Sequence, residues 1–481
     1  MSKSPAAQTD IRRFAGLTQD SRTVKPGYLF AAFPGASDDG REYIPQALGA
    51  GASAILAKIG TKLPAGSTAE LIESGNPRRA FAQMAAEFYG EQPERIVAVT
   101  GTNGKSSTVY FAQQLWQALG EKSAFLGTLG VGLKGAITAG SMTTPDPVKL
   151  HEALAQLVRE EGITHLAMEA SSHGLEQYRL DGVKLGAAGF TSFSRDHLDY
   201  HENMEAYLSA KARLFSEVLQ ESGAAILNAD IPEFKQLESI CQKRGIKIIS
   251  YGKKAKDIRL KDVKVTAQGQ TLSLEIGGKS YNVNLPLVGD FQAMNALCAL
   301  GLVWAGAPDR LEDLIRALET LQSVPGRLQH VEIKTGSAYV DYAHTPDALE
   351  TVLKALRPHT KGKLICLFGC GGDRDTGKRP VMGEIAARLA DMVIITDDNP
   401  RSEEPAAIRA SILQGAGSAA KITEIAGRRE AIRMAVKNMG EADVLLVAGK
   451  GHEQGQIFAD HTDPFDDVDE VKKSNLAYPM S

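Results

Sequence analysis

The stretch from Ile96 to Thr108, IVAVTGTNGKSST, constrains the fold of this chain more than any other. Its apolar start predicts a strand, its glycines predict a tight turn, and apolar residues at spacings of three and four then predict a helix. A strand that leads through such a turn into a helix presents backbone N–H groups and a helix N-terminus to a phosphate. Lys105 would add a positive charge and Ser106 a hydroxyl for Mg²⁺. The predicted ligand is a nucleoside triphosphate.

The spacing within this loop departs from the common phosphate-loop pattern. Gly101-x-x-Gly104-Lys-Ser is shorter than Gly-x-x-x-x-Gly-Lys-Ser/Thr, because Val99 stands five residues before Gly104. Short patterns of this kind also occur in ordinary glycine-rich turns. The strand before the loop and the amphipathic helix after it, which Gly120 ends, favour phosphate binding.

Composition bounds the class of protein. The length of 481 residues suits roughly two to four domains at about 150 residues each. The net charge is −4, with 54 basic and 58 acidic residues and no clustered Lys/Arg stripe, so a nucleic-acid partner is not expected. The four cysteines lack the paired spacing of a metal site, and the first ten residues lack the apolar core of a signal peptide. Since no run approaches the ~18 apolar residues of a membrane span, we expect a soluble cytoplasmic protein with reduced thiols.

Strands and helices alternate along most of the chain, which predicts an α/β protein of three domains. A small N-terminal α/β domain is expected over residues 1–92, with strands at 28–33 and 52–57. A central phosphate-loop domain with a mainly parallel sheet is expected over 93–325, and a doubly wound, Rossmann-like C-terminal domain over 326–481.

Two regions add detail to this organisation. Period-two patterning between 258 and 288, with Gly277-Gly278 as the turn, predicts a β-hairpin region added to the edge of the central sheet. In the C-terminal domain the predicted strands are 338–342, 364–368, 392–396 and 444–447, and the predicted helices are near 346–357, 378–390, 404–415 and 428–439. Polar, glycine-rich loops follow these strands and imply a binding face. The acidic run 463–470 is predicted to be a solvated surface.

Polar side chains follow two predicted strands of the central domain. Glu169 comes directly after the strand 163–168, and ligands gather at the carboxyl ends of strands in open α/β sheets, so Glu169 should face the same crevice as Lys105. The strand 187–193 leads into a loop with two histidines and two aspartates within six positions. We therefore predict that His197 in this loop is a metal ligand or a phosphate contact.

The helix predicted over 204–219 carries Lys211 within its apolar stripe, between Leu208 and Phe215. One interpretation is a buried stem with the ammonium in water. The other is a desolvated lysine whose neutral, reactive form is accessible. The spacing alone does not decide between them.

These motifs together resemble the Mur ligase family over nearly the whole chain. The residues that carry the resemblance are GTNGKSS at 101–107, MEASSH at 168–173, SRDHLDYH at 194–201, Lys211, Asn295, PGR at 325–327, DYAH at 341–344 and GKGH at 449–452. The shortened phosphate loop is the form found in this family. The resemblance implies three domains, which bind the UDP portion of the substrate, ATP and an incoming amino acid. It also implies amide formation through an acyl phosphate, in peptidoglycan precursor synthesis.

Within the family, the chain most resembles the members that add meso-2,6-diaminopimelate to UDP-N-acetylmuramoyl-L-alanyl-D-glutamate. The resemblance implies that Lys105 holds the β and γ phosphates, that Ser106 and Glu169 bind one Mg²⁺ and that His197 binds a second. It also implies that Lys211 is carbamylated, which would make it functional. The implied ATP contacts are Gly101, Thr102, Asn103, Gly104, Lys105, Ser106, Ser107, Asn295, Arg327 and Asp341. A monomer is expected.

The resemblance also assigns contacts to the other two substrates. The implied contacts to the nucleotide-peptide are Ser21, Thr143, Thr144, Ser171, Gln177, Arg179 and Lys211. The implied contacts to the amino acid are Arg374, Asp398, Asn399, Pro400, Arg401, Gly449 and Glu453. Arg401 would pair with the distal carboxylate that distinguishes diaminopimelate from lysine, and an unpaired guanidinium would cost lysine roughly 1–3 kcal/mol. Glu453 would receive the distal ammonium.

Rival interpretations differ in which residues they leave without a role. A lysine-adding ligase gives no role to Arg401, which would then only follow a turn proline and cap the next helix. A folylpolyglutamate synthase does not need the N-terminal UDP domain. A nucleotide-switched binding protein would use Lys105 without catalysis, and it leaves Glu169, His197 and Lys211 unexplained.

Overall fold

A computed structural model of the chain describes residues 10–35, 39–133, 136–138, 143–196, 200–266, 269–417 and 421–476. The chain divides into two compact units. Unit 1 comprises residues 1–260, 275–279 and 294–317, and unit 2 comprises 261–274, 280–293 and 318–481. His197, which was predicted to be a metal ligand, lies outside the described residues.

The N-terminal part of unit 1 is a four-stranded parallel sheet whose strands follow one another in sequence order. The strands are β1 (Gly16–Thr18), β2 (Tyr28–Ala31), β3 (Ala54–Lys58) and β4 (Glu70–Ser74), and the helices are α1 (Ile44–Gly49) and α2 (Pro77–Tyr89). The sequence predicted β2 and β3. It missed β1 because three residues are too few to show a period, and β4 because its apolar residues are sparse.

The larger sheet of unit 1 holds the phosphate loop. Its strands are β5 (Arg95–Thr100), β6 (Ser123–Gly127), β7 (Gly130–Leu133), β8 (Ala136–Thr138), β9 (His165–Glu169), β10 (Leu185–Phe190), β11 (Ala224–Asn228), β12 (Lys247–Gly252) and the first residues of β13 (Ile258–Thr266). They lie in the order β13-β12-β11-β10-β5-β9-β6-β7-β8. The sheet is parallel from β13 to β6, while β7 and β8 pair antiparallel at its edge. The prediction of a mainly parallel central sheet is confirmed.

Helices accompany this sheet, and several of them pack their apolar faces on its strands. They are α3 (Lys105–Ala118), α4 (Pro147–Arg159), α5 (Ser172–Glu176), α6 (Met204–Arg213), α7 (Phe234–Lys243), α8 (Asp290–Gly306) and α9 (Leu311–Leu318). Leu150 and Leu154 of α4, Leu208 of α6 and Leu237 of α7 enter one core with the apolar residues of β9 and β10. The helix predicted over 204–219 is α6 continued by a π-helical turn at Leu214–Val218, which periodicity did not indicate.

Unit 2 is built around a six-stranded sheet in the order β16-β17-β21-β18-β19-β20, in which only β16 pairs antiparallel. Its strands are β16 (Gln329–Val331), β17 (Ser337–Asp341), β18 (Leu364–Phe368), β19 (Met392–Ile395), β20 (Lys421–Glu424) and β21 (Val444–Ala448). Its helices are α10 (Pro346–Leu356), α11 (Lys378–Leu389), α12 (Pro405–Ala416), α13 (Arg428–Lys437) and α14 (Asp467–Leu476). Cores on both faces of the sheet confirm the doubly wound prediction.

Two small β elements complete the molecule. β14 (Gly269–Ile276) and β15 (Lys279–Leu285) neighbour each other and turn at Gly277-Gly278, whose φ values of 59° and 78° suit glycine, so the predicted hairpin is confirmed. β22 (Gly455–Ile457) and β23 (Thr462–Pro464) form an antiparallel pair after β21. Within the described part of the chain, no helix is long and apolar enough to cross a membrane.

The prediction that the acidic run 463–470 is a solvated surface is wrong for its second half. This half begins α14, where Asp467 is fully buried and Glu470 is only 5% exposed. Asp467 faces a buried arginine, Arg428, whose guanidinium compensates the carboxylate. The acidic sequence predicted exposed side chains, but Asp467 is buried because it pairs with Arg428, 39 positions away.

Candidate active site

The phosphate loop of unit 1 requires glycine at two positions. Gly101 and Gly104 have φ values of 145° and 86°, which other residues rarely adopt. A Cβ atom on Gly104 would lie 2.3 Å from Oδ1 of Asn295, and one on Gly101 would lie 2.0 Å from Oγ1 of Thr191. The loop therefore runs directly against Asn295 and Thr191, and α3 begins from it at Lys105.

The loop is held by the residues that follow β10, the strand next to β5. The N–H of Thr102 donates to the carbonyl of Ser192 (2.8 Å), and the N–H of Asn103 donates to the hydroxyl of Ser192 (3.0 Å). The hydroxyl of Thr191 donates to the carbonyl of Asn103 (2.5 Å). These contacts hold the loop conformation, and sequence reasoning did not identify Thr191 and Ser192 as the residues that hold it.

Two lysines share one backbone carbonyl in this loop. Nζ of Lys105 donates to the carbonyls of Gly101 (2.9 Å) and Thr102 (2.8 Å), and Nζ of Lys211 donates to the same Gly101 carbonyl (2.8 Å). Lys211 is 1% exposed, and its Nζ lies 4.3 Å from the centre of the Tyr207 ring. Its amine group is therefore at the phosphate loop and not in water, which excludes the interpretation of a buried stem with an exposed ammonium.

The surroundings of Lys211 favour its neutral form. Burial and the positive charge of Lys105 lower the pKa of Lys211 from 10.5 to about 6, against a smaller opposing effect of Asp196. These surroundings therefore favour an uncharged, nucleophilic amine at Lys211 at neutral pH. Carbon dioxide reacts with such an amine and not with an ammonium.

Glu169 at the end of β9 lies beside the hydroxyl of Ser106. Oε1 of Glu169 accepts hydrogen bonds from Ser106 Oγ (2.8 Å) and from the N–H of Thr128 (2.9 Å), and Oε2 accepts one from Thr128 Oγ1 (3.3 Å). Glu169 is 1% exposed. A buried carboxylate among hydroxyl groups is a set of hard oxygen donors, which fits Mg²⁺, an ion that uses one or two carboxylates and keeps several waters. Among the described residues, no group of three or more His, Cys, Asp and Glu side chains is arranged so that it could hold a metal ion.

Apart from Lys211, six residues were assigned to the nucleotide-peptide on resemblance alone. Five of them form one network next to Glu169, the Thr144 network, which consists of Thr143, Thr144, Ser171, Gln177 and Arg179. Thr144 Oγ1 donates to the backbone carbonyl of Glu169 (3.1 Å) and accepts from the N–H of Ser171 (3.0 Å). Arg179 donates to the carbonyl of Thr144 (2.6 Å) and to Gln177 Oε1 (2.7 Å). The hydroxyl of Thr143 joins the network through Thr128 (2.9 Å). Burial lowers the pKa of Arg179.

The sixth residue, Ser21, lies in the N-terminal sheet region, where its hydroxyl donates to Gln46 Oε1 (3.0 Å). Arg22 and Arg41, two nearby arginines, form ion pairs with Asp20 and Asp39 on the surface. The structure therefore does not join Ser21 to the Thr144 network through any described contact.

Unit 2 places Arg327 and Asp341 together. Asp341 at the end of β17 accepts hydrogen bonds from the N–H groups of Leu328 (2.6 Å) and Ala343 (2.8 Å). Burial raises the pKa of Asp341 to about 6, although Arg327 and both N–H groups act in the opposite direction. The guanidinium of Arg327 lies 4.9 Å from the ring centre of Tyr342.

Two loops of unit 2 carry most of the residues assigned to the amino acid. They are the recognition loops, residues 398–401 after β19 and 449–453 after β21. Asn399 joins the loops because its Nδ2 donates to Glu453 Oε2 (2.9 Å). A Cβ atom on Gly449, where φ is 118°, would lie 2.5 Å from Asp398 Oδ2, so Asp398 packs against the backbone of the second loop.

Arg401 is held by backbone contacts and not by a helix end. Its NH1 donates to the carbonyl of Gly372 (2.9 Å), and its N–H donates to the carbonyl of Ile457 (3.0 Å). Since Glu404 is the N-terminal cap residue of α12, Arg401 does not cap that helix. Arg401 adopts a φ of 52°, in the left-handed region. A Cβ on Gly371 would lie 2.8 Å from NH1 of Arg401 and 3.9 Å from Cγ of Arg374, so both arginines flank Gly371.

Comparison with known proteins agrees with this geometry. Three family models match consecutive parts of the chain: "Mur ligase family, catalytic domain" at 13–89, "Mur ligase middle domain" at 99–303 and "Mur ligase, glutamate ligase domain" at 326–451. The chain belongs to the Mur ligase family. Its three-domain α/β organisation is that of the family, and its class is that of an ATP-dependent ligase that forms amide bonds.

Similar Mur ligases are known from several bacteria. A protein of Caulobacter vibrioides named UDP-N-acetylmuramoyl-L-alanyl-D-glutamate–2,6-diaminopimelate ligase is 52% identical over 465 residues, which cover 95% of this chain and 94% of that protein. One of Rhizobium meliloti with the same name is 49% identical, and the match covers 98% and 96% of the two chains. A solved structure of a ligase of that name has a TM-score of 0.76 and 36% identity, covering 96% of this chain and 95% of its own.

Several residues at the candidate sites of the two units were missed by sequence reasoning. Thr128 and Thr191 each follow a strand of the central sheet, which was an available signal, but single hydroxyl residues after strands are too common to single out. Lys450 lay inside a quoted motif without a role. Arg428 and Asp467 gave no signal, because an arginine at the start of a helix and an aspartate in an acidic run are typical of surfaces.

Proposed function

We propose that this chain is the ligase that adds meso-2,6-diaminopimelate to UDP-N-acetylmuramoyl-L-alanyl-D-glutamate, with ATP as the energy source, in peptidoglycan precursor synthesis. The relatives that carry this name match the chain over nearly its full length. The observation that carries the proposal is the buried amine of Lys211 on the phosphate loop, beside Lys105. A protein that only binds a nucleotide gains nothing from a desolvated amine at that position.

The reaction requires activation of a carboxylate, which is a poor electrophile. The carboxylate oxygen of the glutamate attacks the γ-phosphorus of ATP, the bond to the β-phosphate oxygen breaks, and ADP leaves. The amine of diaminopimelate then attacks the acyl carbon of the acyl phosphate, phosphate leaves, and the amine loses a proton. Phosphoryl transfer of this kind depends on alignment and charge neutralisation.

The residues of unit 1 fit these needs. Residues 101–107 would cradle the phosphates, with Lys105 as the cation for the β and γ phosphates. Ser106 and Glu169 would hold one Mg²⁺, and His197 a second. When bound, Mg²⁺ would neutralise phosphate charge. Lys211, as a carbamate, becomes an anion that can orient a cation at the acyl phosphate.

The remaining substrate roles belong to the Thr144 network and to the recognition loops. The Thr144 network, with Arg179 as its cation, would hold the nucleotide-peptide carboxylates. Arg401 and Arg374 would pair with the distal carboxylate of diaminopimelate, and Glu453 with the distal ammonium. Asn295, Arg327 and Asp341 would contact the adenosine of ATP. The other proposed contacts to the nucleotide-peptide are Ser21, Thr143, Ser171 and Gln177. The other proposed contacts to the amino acid are Asp398, Asn399, Pro400 and Gly449.

We extend the proposal to the organisation of the protein. The domain boundaries would be 1–92, 93–325 and 326–481, with the UDP portion bound by the first domain. The enzyme would act in the cytoplasm, where its nucleotide substrates occur, and as a monomer.

One assay tests the proposal. The protein receives ATP, Mg²⁺ and UDP-N-acetylmuramoyl-L-alanyl-D-glutamate, and phosphate release is compared with meso-diaminopimelate, with lysine and with no amino acid. We expect release that depends on diaminopimelate, together with a product whose mass equals that of both substrates less one water. Release that is independent of any amino acid would contradict ligation. Equal rates with lysine would contradict the choice of diaminopimelate.

A further inference from the structure

The side chain of Arg428 lies fully buried beneath both recognition loops. Its Nε and NH2 donate to the two carboxylate oxygens of Asp467, each at 2.7 Å, and both side chains have no exposed surface. NH2 also donates to the carbonyl of Ala448 (2.9 Å), and NH1 to that of Asp397 (3.4 Å). Ala448 and Asp397 are the residues immediately before the two recognition loops. One guanidinium therefore ties the starts of both loops to α14.

Lys450 makes a second buried connection between the loops. It has no exposed surface, and its Nζ donates to Asn399 Oδ1 (2.8 Å) and to Glu453 Oε2 (3.1 Å). Asn399 Oδ1 also accepts from the N–H of Ile457 (3.0 Å). The side chain of Glu453 is 34% exposed, so part of it reaches the surface. Its Oε2 atom is held from the interior by Lys450 and Asn399.

The energetics of these contacts favour a role beyond stability. Buried ion pairs contribute little net stability compared with apolar residues of the same volume, because desolvation offsets the attraction. What a planar guanidinium offers, and an apolar pair does not, is several directed hydrogen bonds at once. In this chain two of those bonds are directed at the carbonyls that begin the recognition loops.

We propose that Arg428, Asp467 and Lys450 form a buried charge network that positions the two recognition loops, and thereby sets amino-acid affinity and choice without acting on ATP. This inference rests on the proposed function, since it takes the loops as the amino-acid site. The three residues are positioning residues: Arg428 acts through the loop backbones, Asp467 through Arg428, and Lys450 through Asn399 and Glu453.

The test uses steady-state kinetics of the full-length enzyme with meso-diaminopimelate, ATP and the nucleotide-peptide each varied in turn. The variants are Asp467→Asn, Arg428→Lys and Lys450→Met. The matched control is Arg433→Gln, which removes an exposed ion pair with Glu430 on the same helix as Arg428. We expect the KM for diaminopimelate to rise about tenfold in each variant, the effect of losing a hydrogen bond to a charged group. The KM values for ATP and the nucleotide-peptide should stay within about twofold of wild type, as should all constants of the control.

A double variant, Arg428→Met with Asp467→Leu, separates positioning from stability. Apolar side chains of similar volume should keep the fold, because the pair is removed as a whole. They cannot donate to the two loop carbonyls, so the KM for diaminopimelate should remain raised. A double variant that folds with the wild-type KM would overturn the proposal, as would parallel changes in all three KM values.

Lys450→Met has a further expected result. Its loss leaves the carboxylate of Glu453 less neutralised, so the preference for diaminopimelate over the more cationic lysine should narrow. An unchanged ratio of kcat/KM for the two amino acids would contradict this role of Lys450. If wild-type enzyme gives no ligation with diaminopimelate, the proposed function fails instead, and the two failures are distinct.

Discussion

Lys211 in unit 1 and Lys450 in unit 2 are equally buried, but their hydrogen-bond partners differ. The comparison shows how the neighbours of a buried lysine affect its reactivity. The two lysines are 1% and 0% exposed. Lys211 donates to a backbone carbonyl and lies near a second lysine, and burial with that charge lowers its pKa to about 6. Lys450 donates to an amide oxygen and to the carboxylate of Glu453. The surroundings of Lys211 favour a neutral, reactive amine, whereas those of Lys450 place a carboxylate beside the lysine.

The difference shows that burial alone does not identify a functional lysine. A carboxylate partner makes a buried lysine a structural element, whereas a neutral partner and a neighbouring cation make it a nucleophile. The following predictions test this contrast, beginning with the largest expected effect.

Removal of the Lys211 amine should have the largest effect on activity. Lys211→Ala is expected to lower kcat by roughly 100- to 1,000-fold, the range seen when a charge-stabilising group is removed from a reacting centre. Added formate or acetate should restore part of the activity, because a small carboxylate can occupy the place of the proposed carbamate. The measurement is ligation rate against carboxylate concentration.

Lys450→Ala, assayed in the same carboxylate series, is the matched control. It removes a lysine that is equally buried, but one that we assign no carbamate. Rescue of both variants, or of Lys450→Ala alone, would contradict the contrast between the two lysines.

The charge preference of the recognition loops should depend on Arg401. Arg401→Lys keeps a cation but loses the planar fork, so discrimination against lysine should fall by about ten- to a hundredfold. The quantity to measure is the ratio of kcat/KM for meso-diaminopimelate and lysine. Arg409→Lys is a useful comparison, because Arg409 pairs with Asp397 and Glu424 and is not among the proposed substrate contacts. An equal loss of discrimination in both variants would remove the special role of Arg401.

Stability should depend on pH with opposite signs for the buried charges of the two units. The folded pKa of Lys211 is about 6 against an ordinary 10.5, so the unfolded chain binds the extra proton between those values and stability rises with pH there. The folded pKa of Asp341 is also about 6 against an ordinary 3.8, so the folded chain binds the extra proton and stability falls as pH rises through that window. Each slope is at most about 1.4 kcal/mol per pH unit.

Denaturant unfolding of wild type, Lys211→Met and Asp341→Asn across pH 4 to 9 measures both effects. The free energy of unfolding of wild type minus that of Lys211→Met should grow as pH rises above about 6. The corresponding difference between wild type and Asp341→Asn should grow as pH falls below about 6. A flat difference curve for Lys211→Met would show that its amine keeps its ordinary pKa.

The smallest expected effect concerns Thr128, which holds Glu169. Thr128→Val removes the hydroxyl contacts to Glu169 and Thr143 but keeps the backbone bond to Glu169. The Mg²⁺ concentration for half-maximal activity should rise by about three- to tenfold, as for the loss of one hydrogen bond to Glu169. Thr128→Ser keeps the hydroxyl and should remain near wild type. A similar change in both variants would indicate a packing effect of the methyl group instead.

The sequence predicted the fold to the extent that local periodicity carries it. The strand before Gly101, the helix after it and the alternation from 338 to 448 all followed from local patterns, and the structure confirms them. Short strands such as β1 and the π-helical turn at 214–218 were missed, because three to five residues do not establish a period.

The candidate site was predictable where chemistry is concentrated in a motif. Lys105 and Ser106 stand within one loop, and Glu169 follows a strand whose carboxyl end meets that loop. Arg428 and Asp467 were not predictable, because their meaning comes from a partner 39 positions away. The charge of a residue is local information, whereas its burial depends on the tertiary fold.

The left-handed backbone conformation of Arg401 is strained. At a φ of 52° a side chain with a Cβ atom loses about 1–2 kcal/mol relative to the right-handed region, while glycine would lose almost nothing. Glycine at position 401 should relieve this strain, but it would also remove the hydrogen bond to the Gly372 carbonyl and the guanidinium that we propose to bind the second carboxylate. The strained backbone angle therefore lies at the residue that we propose to discriminate between diaminopimelate and lysine.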